Sequence, residues 1–184
     1  MNLTYKDLTI RDATAADAEQ LAVWWNDGAV MAHAGFPNGL GIAPEQIVES
    51  LAKDDDKNRR HIIEYLGKPI GEMNYRTPTD GVAEIGIKIC DSPMQEKGLG
   101  TTLLTIFIDA LFRHMGYEKI LIDGNLQNTR AQHVYEKKLS FRFSHIERDS
   151  WTDQLGQLQS SFHYEMDRDG WLNMAISKIQ YRKD

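Results

Sequence analysis

Apolar positions along this chain switch between a period of two and a period near 3.6, the signatures of strands and helices. The clearest switch lies mid-chain. From Val82 to Ile89 the residues alternate, with Ile85, Ile87 and Ile89 on one side and Glu84, Gly86 and Lys88 on the other. This predicts a strand. A glycine-bearing turn follows, Met94-Gln95-Glu96-Lys97-Gly98-Leu99-Gly100-Thr101. Then Leu103, Phe107, Leu111 and Met115 recur four apart, as do Leu104, Ile108 and Phe112. That is one wide apolar face on a helix of about four turns. Gly116 ends it, and Tyr117 to Asp123 reads as the next strand.

The rest of the chain divides in the same way. Leu8 to Asp12 alternates and predicts a first strand. Thr14 and Asp17 have the spacing of a capping box, with Asp in place of Glu. They open a helix running to about Asn26, with Ala18, Leu21, Ala22 and Trp25 on one face and Gly28 beyond its end. Ala29 to His33 is a short helical piece, Gly35 to Gly41 a loop, and Pro44 the first turn of a helix through Leu51. Lys53 to Arg60 reads as a solvated charged link. His61–Leu66, Ile70–Arg76 and Val82–Cys90 are three strand signals joined by turns at Gly67-Lys68 and Thr77–Gly81, which predicts an antiparallel meander. Asn128 to Lys138 is a short helix with Ala131, Val134 and Tyr135 on one face. Phe141–Arg148 and Ser161–Met166 are arms of a last hairpin around Gly156, and Trp171–Tyr181 is a tail with helical character.

Composition narrows the classes. With 184 residues, 41% of them hydrophobic, the chain has enough apolar content for one domain spanning 1–184. A net charge of −6 argues against a nucleic-acid binder and favours cationic partners such as amines. Cys90 is the single cysteine, so no internal disulfide forms and a reducing compartment fits. No apolar signal core or transmembrane-length run is present, and a soluble, cytoplasmic protein is expected. The six histidines show no metal-ligand spacing, so no metal is expected.

The glycine turn between strand and helix suits an anion. The first N–H groups of a helix lack internal partners, the helix dipole is positive there, and Gly98 and Gly100 keep side chains away. A nucleoside-triphosphate loop needs Lys then Ser or Thr after its last glycine, whereas Lys97 precedes Gly98. A dinucleotide fingerprint needs a third glycine where Leu103 stands, although Asp123 lies about twenty residues on, as that fingerprint wants. Gln95-Glu96-Lys97-Gly98-Leu99-Gly100 meets every position of Gln/Arg-x-x-Gly-x-Gly/Ala. About thirty residues on stands Asn128-Thr129-Arg130-Ala131-Gln132-His133-Val134-Tyr135-Glu136-Lys137-Lys138-Leu139-Ser140-Phe141. The two stretches together resemble the acyl-CoA loop and the Asn-x-Arg-Ala-x-x-x-Tyr-Glu-Lys-x-Gly-Phe block of the GNAT superfamily of N-acetyltransferases. Ser140 stands where that family usually has Gly. Trp25-Asn26-Asp27 after the first helix is similar to the branch holding ribosomal-protein, polyamine and aminoglycoside 6′-acetyltransferases.

The resemblance implies a mixed α/β fold, mostly antiparallel, with two splayed parallel central strands flanked by helices. It implies acetyl-CoA as co-substrate, no metal, and direct transfer to a primary amine: a small polyamine, an amino sugar, an amino acid or a protein N-terminus. A homodimer is compatible with it. The acyl-CoA would contact Ile87, Lys88 and Ile89, the loop Gln95, Glu96, Lys97, Gly98, Leu99, Gly100 and Thr101, and Asn128 and Ala131. Tyr135 would be the general acid. Asp123 is the first candidate base and Glu84 the second, while Trp25, His33 and Phe36 would line the acceptor side. Each has a plainer reading: Tyr135 as a core aromatic, Asp123 as a turn residue, Glu84 as a solvated strand residue and Asn128 as a helix cap. A non-catalytic acyl-CoA sensor on the same fold is the alternative, since it needs neither acid nor base.

Overall fold

A computed structural model describes residues 1–184. The strands are β1 (Asn2–Tyr5), β2 (Leu8–Asp12), β3 (Asn58–Tyr65), β4 (Lys68–Thr79), β5 (Val82–Ile89), β6 (Lys119–Asn125), β7 (Arg142–Thr152), β8 (Leu158–Asp167) and β9 (Arg182–Lys183). The helices are α1 (Ala18–Trp25), α2 (Gly28–Met31), α3 (Pro44–Leu51), α4 (Leu99–His114), α5 (Thr129–His133) and α6 (Arg168–Leu172). All nine strands join one sheet in the order β7-β8-β6-β5-β4-β3-β2-β1-β9. Every pair is antiparallel except β5 with β6.

That one parallel pair is short. Its register runs from Val82 opposite Lys119 to Ile85 opposite Ile122, and stops. β5 continues to Ile89 and β6 to Asn125 without pairing to each other. The central sheet therefore opens towards the C-terminal ends of these two strands.

The two faces are covered by different helices. Ile63, Met73, Ile85, Ile120 and Ile122 meet Leu103, Phe107, Ile108 and Leu111 of α4 in a core of 27 buried residues. On the other face, Ile62 lies under Leu21 and Trp24 of α1 and Ile47 and Leu51 of α3. Leu103 to Phe112 of α4 is buried without a break, including Thr105 and Asp109. Both polar groups are satisfied, as burial demands. Thr105 Oγ1 donates to Thr101 O at 2.8 Å. Asp109 accepts from Arg113 Nε at 2.8 Å, Trp171 Nε1 at 3.0 Å and the Tyr181 hydroxyl at 3.1 Å, tying the C-terminal tail to α4.

The structure departs from several sequence expectations. β1 was not foreseen, and it forms a tight hairpin with β2 in which Lys6 adopts φ 52°. The last three residues of the expected charged link, Asn58 to Arg60, belong to β3. β4 runs on through Pro78 to Thr79, leaving Asp80-Gly81 as the turn. β6 extends past Asp123 to Asn125, so Asp123 lies within the strand. The last hairpin is longer on both arms than expected. The tail is helical only at α6 and a 3₁₀ turn, Ala175–Lys178. In α1 it is Trp24, 7% exposed, that packs in the core, and Trp25 turns towards the sheet. The capping box does form, with Asp17 Oδ2 accepting from the Thr14 N–H at 2.8 Å.

His61 is fully buried between Tyr75 and Phe107, with ring centroids 5.8 and 5.1 Å away. Its Nε2 lies 3.3 Å from Asp12 Oδ1 without hydrogen-bond alignment. Burial holds its pKa below the ordinary value, and Asp12 offsets this only in part. The unfolded chain therefore binds a proton that the folded chain resists, starting near pH 6.5. Stability from this group should be full above that pH and should fall as pH drops below it, by at most about 1.4 kcal/mol per pH unit. Melting curves below that pH should show the decline, and His61→Gln should flatten it.

Candidate active site

A cleft of about 1790 Å³ opens where β5 and β6 part. The free ends of the two strands line it, with the turn before α4, the first residues of α5, and Trp25 and α2 on the far side. The β5 edge that faces β4 is paired without a break from Glu84 opposite Arg76 to Ile89 opposite Gly71. The edge that faces β6 beyond Ile85 has no ladder partner. Unpaired main chain in a groove is a template for an added extended segment.

The turn before α4 is built to leave donors free. None of the backbone N–H groups of Glu96, Lys97, Gly98, Leu99, Gly100 and Thr101 has an acceptor in the chain. The first helical bond runs from Thr102 N to Gly98 O at 3.4 Å. Gly98 has φ 74°, in the left-handed region that glycine tolerates best. A Cβ on Gly98 or Gly100 would meet nothing within 4 Å, so it would project into open space. Gln95 Nε2 donates to Ile89 O at 2.9 Å, which holds the turn to the end of β5. Six free donors at the positive end of a sixteen-residue helix fit a pyrophosphate group without a metal.

Tyr135 sits on a π-helical turn, Val134–Lys138, directly after α5. Such turns are frequent at functional sites. Its ring lies 6.1 Å from Phe141, 5.9 Å from Phe162 and 6.2 Å from Tyr164. The residue is 7% exposed and lines the cleft, and its hydroxyl is not among the sealed, unpartnered polar atoms. Burial, aided by the charge of Asp123, pushes the phenol pKa up and keeps it protonated. So Tyr135 is both a core aromatic and a group at the cleft wall. Ser140, in the link between the π turn and β7, adopts φ 56°. That conformation explains why a glycine would suit this position better.

Asp123 faces the same cleft and makes no ion pair or side-chain hydrogen bond. Although the side chain is exposed, partial desolvation at the cleft wall and the nearby Glu84 push its pKa up. Glu84 itself lies in the paired part of β5, opposite Leu121, and accepts from Arg76 Nε at 2.8 Å. It does not reach the main cleft, and lines a small separate cavity of about 140 Å³ with Asp123. Asn128 uses its side-chain oxygen as a cap, accepting from Ala131 N at 3.1 Å. Lys97 and Phe36 do not line the cleft, while Gln95, Glu96, Gly98, Leu99, Gly100, Thr101, Ile87, Lys88, Ile89, Asn128, Ala131, Trp25 and His33 do. Cys90 is no nucleophile, because burial and Glu72 push its thiol up to about 12.

Sequence reasoning missed part of the acceptor wall. Glu72 of β4 accepts from Trp25 Nε1 at 2.9 Å and from Lys88 Nζ at 3.1 Å. Arg60 stands over the Trp25 ring at 5.7 Å and donates to Asp54 at 3.0 Å. Trp151 of β7 packs so close to Gly35 that a Cβ there would come within 2.4 Å. Gln154 Nε2 donates to Gly39 O at 2.9 Å, which closes the hairpin over the loop after α2. A carboxylate between Ile70 and Met73, in the part of β4 that is buried, was the legible signal for Glu72. Nothing local marked Trp151.

Comparison with known proteins settles the family. A family model described as the acetyltransferase (GNAT) domain matches residues 7–138. The chain belongs to the GNAT acetyltransferase family. Solved structures agree on the fold. A spermidine N-acetyltransferase from Vibrio cholerae, in complex with CoA and spermine, superposes with TM-score 0.81 at 22% identity. That match covers 92% of this chain and 100% of the other. RimL, a ribosomal-protein alpha-N-acetyltransferase in complex with coenzyme A, gives TM-score 0.81 at 14% identity, over 92% and 99%. A probable acetyltransferase gives 0.80 at 20% identity, over 93% and 99%. A search of curated proteins by sequence finds no match.

Gly100→Asp separates binding from stability. A carboxylate in the first turn of α4 favours the helix dipole by about 0.3–1 kcal/mol. The same carboxylate would occupy and repel the anion seat. We expect an unchanged or slightly raised melting temperature, with coenzyme A binding weakened at least about tenfold, about 1.4 kcal/mol, by calorimetry.

Proposed function

We propose that this protein transfers an acetyl group from acetyl-CoA to a primary amine by direct attack in a ternary complex. One observation carries the reading. The gap between β5 and β6 adjoins the six free N–H groups, and Tyr135 and Asp123 line that same cleft. Acetyl-CoA supplies the activated thioester. The β5 edge around Ile87 to Ile89, where Gln95 occupies only Ile89 O, would orient its extended arm, and the turn before α4 would hold its pyrophosphate.

The residues divide the proton work. The attacking amine must be neutral, so it loses a proton before or during attack. Asp123, without a partner in the chain, accepts that proton through water or holds the cationic amine at the cleft. The departing sulfur gains a proton from the Tyr135 hydroxyl, which its apolar surroundings keep protonated. Glu84, bound to Arg76, acts on Asp123 by its charge alone. The whole of 1–184 serves as one catalytic domain in this reading.

The acceptor wall bears on substrate class. The cleft is lined by Arg59, Arg60, Arg76, Lys88, Arg130 and Lys138 against Asp54, Glu72, Glu96 and Asp123. Asp54 and Glu72 are engaged by Arg60 and Lys88. Only Asp123 and the weakly paired Glu96 remain for a cation. This balance favours an acceptor with one amine, such as a peptide N-terminus, an amino acid or an amino sugar, over a polycation such as spermine.

Free-thiol release from acetyl-CoA against two polycations, spermine and an aminoglycoside, and against a monoamino sugar, amino acids and short peptides tests the reading. Turnover with a single-amine class is expected. Coenzyme A binding without turnover on any amine, including a folded protein N-terminus, would favour the sensor reading. Tyr135→Phe should lower kcat by about 100-fold and leave acetyl-CoA affinity nearly unchanged. Equal turnover would remove Tyr135 from the mechanism.

A further inference from the structure

His145, Glu147 and His163 come together on the open face of the β7–β8 hairpin. We propose that they form a site for a borderline divalent transition ion of the zinc type. His145 and His163 are directly paired across the two strands, and Glu147 is two residues from His145 on the same face. That is how a pleated sheet brings three ligands to one point: i and i+2 on one strand, plus the residue opposite on its neighbour. The ligand atoms of all three lie within 4.8 Å of one another.

The details agree with that ligand set. The two imidazoles are stacked, with centroids 4.4 Å apart and planes 2° from parallel, so both nitrogens reach one ion only after the exposed His145 ring turns out of the stack. Glu147 spans both, with one oxygen 3.6 Å from His145 Nε2 and the other 3.6 Å from His163 Nε2. Two ligands of a tetrahedral zinc ion stand about 3.3 Å apart, close to the two Glu147 distances, so a ring rotation at His145 with a small inward shift closes the set. His145 Nδ1 is 3.0 Å from Ser144 Oγ, which leaves Nε2 for the metal, the usual outer-shell arrangement. His163 Nε2 is 3.0 Å from Ser161 Oγ, a contact that a metal would replace. No Lys or Arg pairs with Glu147. The ladder shifts register between Phe143 and His145 and again between Glu147 and Trp151, so a bulge flanks the trio on each side. Bulges re-aim side chains, and here they leave the trio on a short regular island. Two nitrogens and one carboxylate oxygen, with a position left open, suit zinc rather than calcium or magnesium.

The ion would cross-link β7 to β8 on the open sheet face, beside Asp123, which pairs with His163 across β6 and β8. This inference is independent of the acetyl-transfer reading, and either can fail alone.

The test uses the full chain without a histidine tag, stripped with a chelator and titrated with Zn²⁺ by calorimetry. One ion per chain is expected, with a rise in melting temperature. His145→Ala and His163→Ala should each weaken binding at least about 100-fold, and both should stay folded because His145 is exposed and His163 is half-buried outside the hydrophobic core. Co²⁺ should give visible absorption bands that both substitutions abolish. Absence of Zn²⁺ binding at millimolar concentration would overturn the proposal, as would affinity unchanged in both variants.

Discussion

Backbone N–H and C=O groups demand partners, and a sheet supplies them until its strands diverge. β5 and β6 stay together for only four residue pairs and then part. Both strands remain anchored beyond that point on their outer edges, β5 to β4 and β6 to β8. The gap is therefore held open by flanking ladders, and α4 beneath it fills the space with Leu103, Leu104 and Phe107. The helix that supports the gap also begins beside it, so the free donors of its first turn face the same opening. One divergence thus brings together an unpaired strand edge and a helix N-terminus.

Charge is distributed unevenly around that opening. The chain carries a net −6, yet Lys and Arg outnumber Asp and Glu along the cleft. Most of the cleft carboxylates are tied to a cation, which leaves Asp123 conspicuous as an acid with no partner. Its neighbour Glu84 differs by a single interaction, the contact with Arg76. Two carboxylates on the same sheet face thus have different chemistry because one is neutralised and the other is not.

The strand–turn–helix core was legible because its periodicity is strong: Ile85, Ile87 and Ile89 alternate, and the α4 face repeats every third or fourth residue. The parallel pairing was legible only through the family resemblance, since periodicity says nothing of strand order. Long-range geometry escaped the sequence. The histidines at 145 and 163 are far apart in the chain, and only the hairpin register makes them neighbours. Trp25 and Trp24 were exchanged because a helix of eight residues leaves the facing angle open to a shift of one position. Tyr135 was read as either core or catalytic, and a π turn lets it be both, with its ring among aromatics and its hydroxyl at the cleft.

The gap in the sheet also has a kinetic meaning. An extended molecule seated there would become, in effect, a temporary strand, bonded to the free edge of β5. Such a ligand cannot leave by breaking one contact. It must unzip, and the protein then reverts to a sheet with an exposed inner border. Each catalytic cycle of an enzyme built this way includes the assembly and dismantling of a small piece of its own fold. The pace of that dismantling can set a limit on turnover that no change at the reacting atoms would lift.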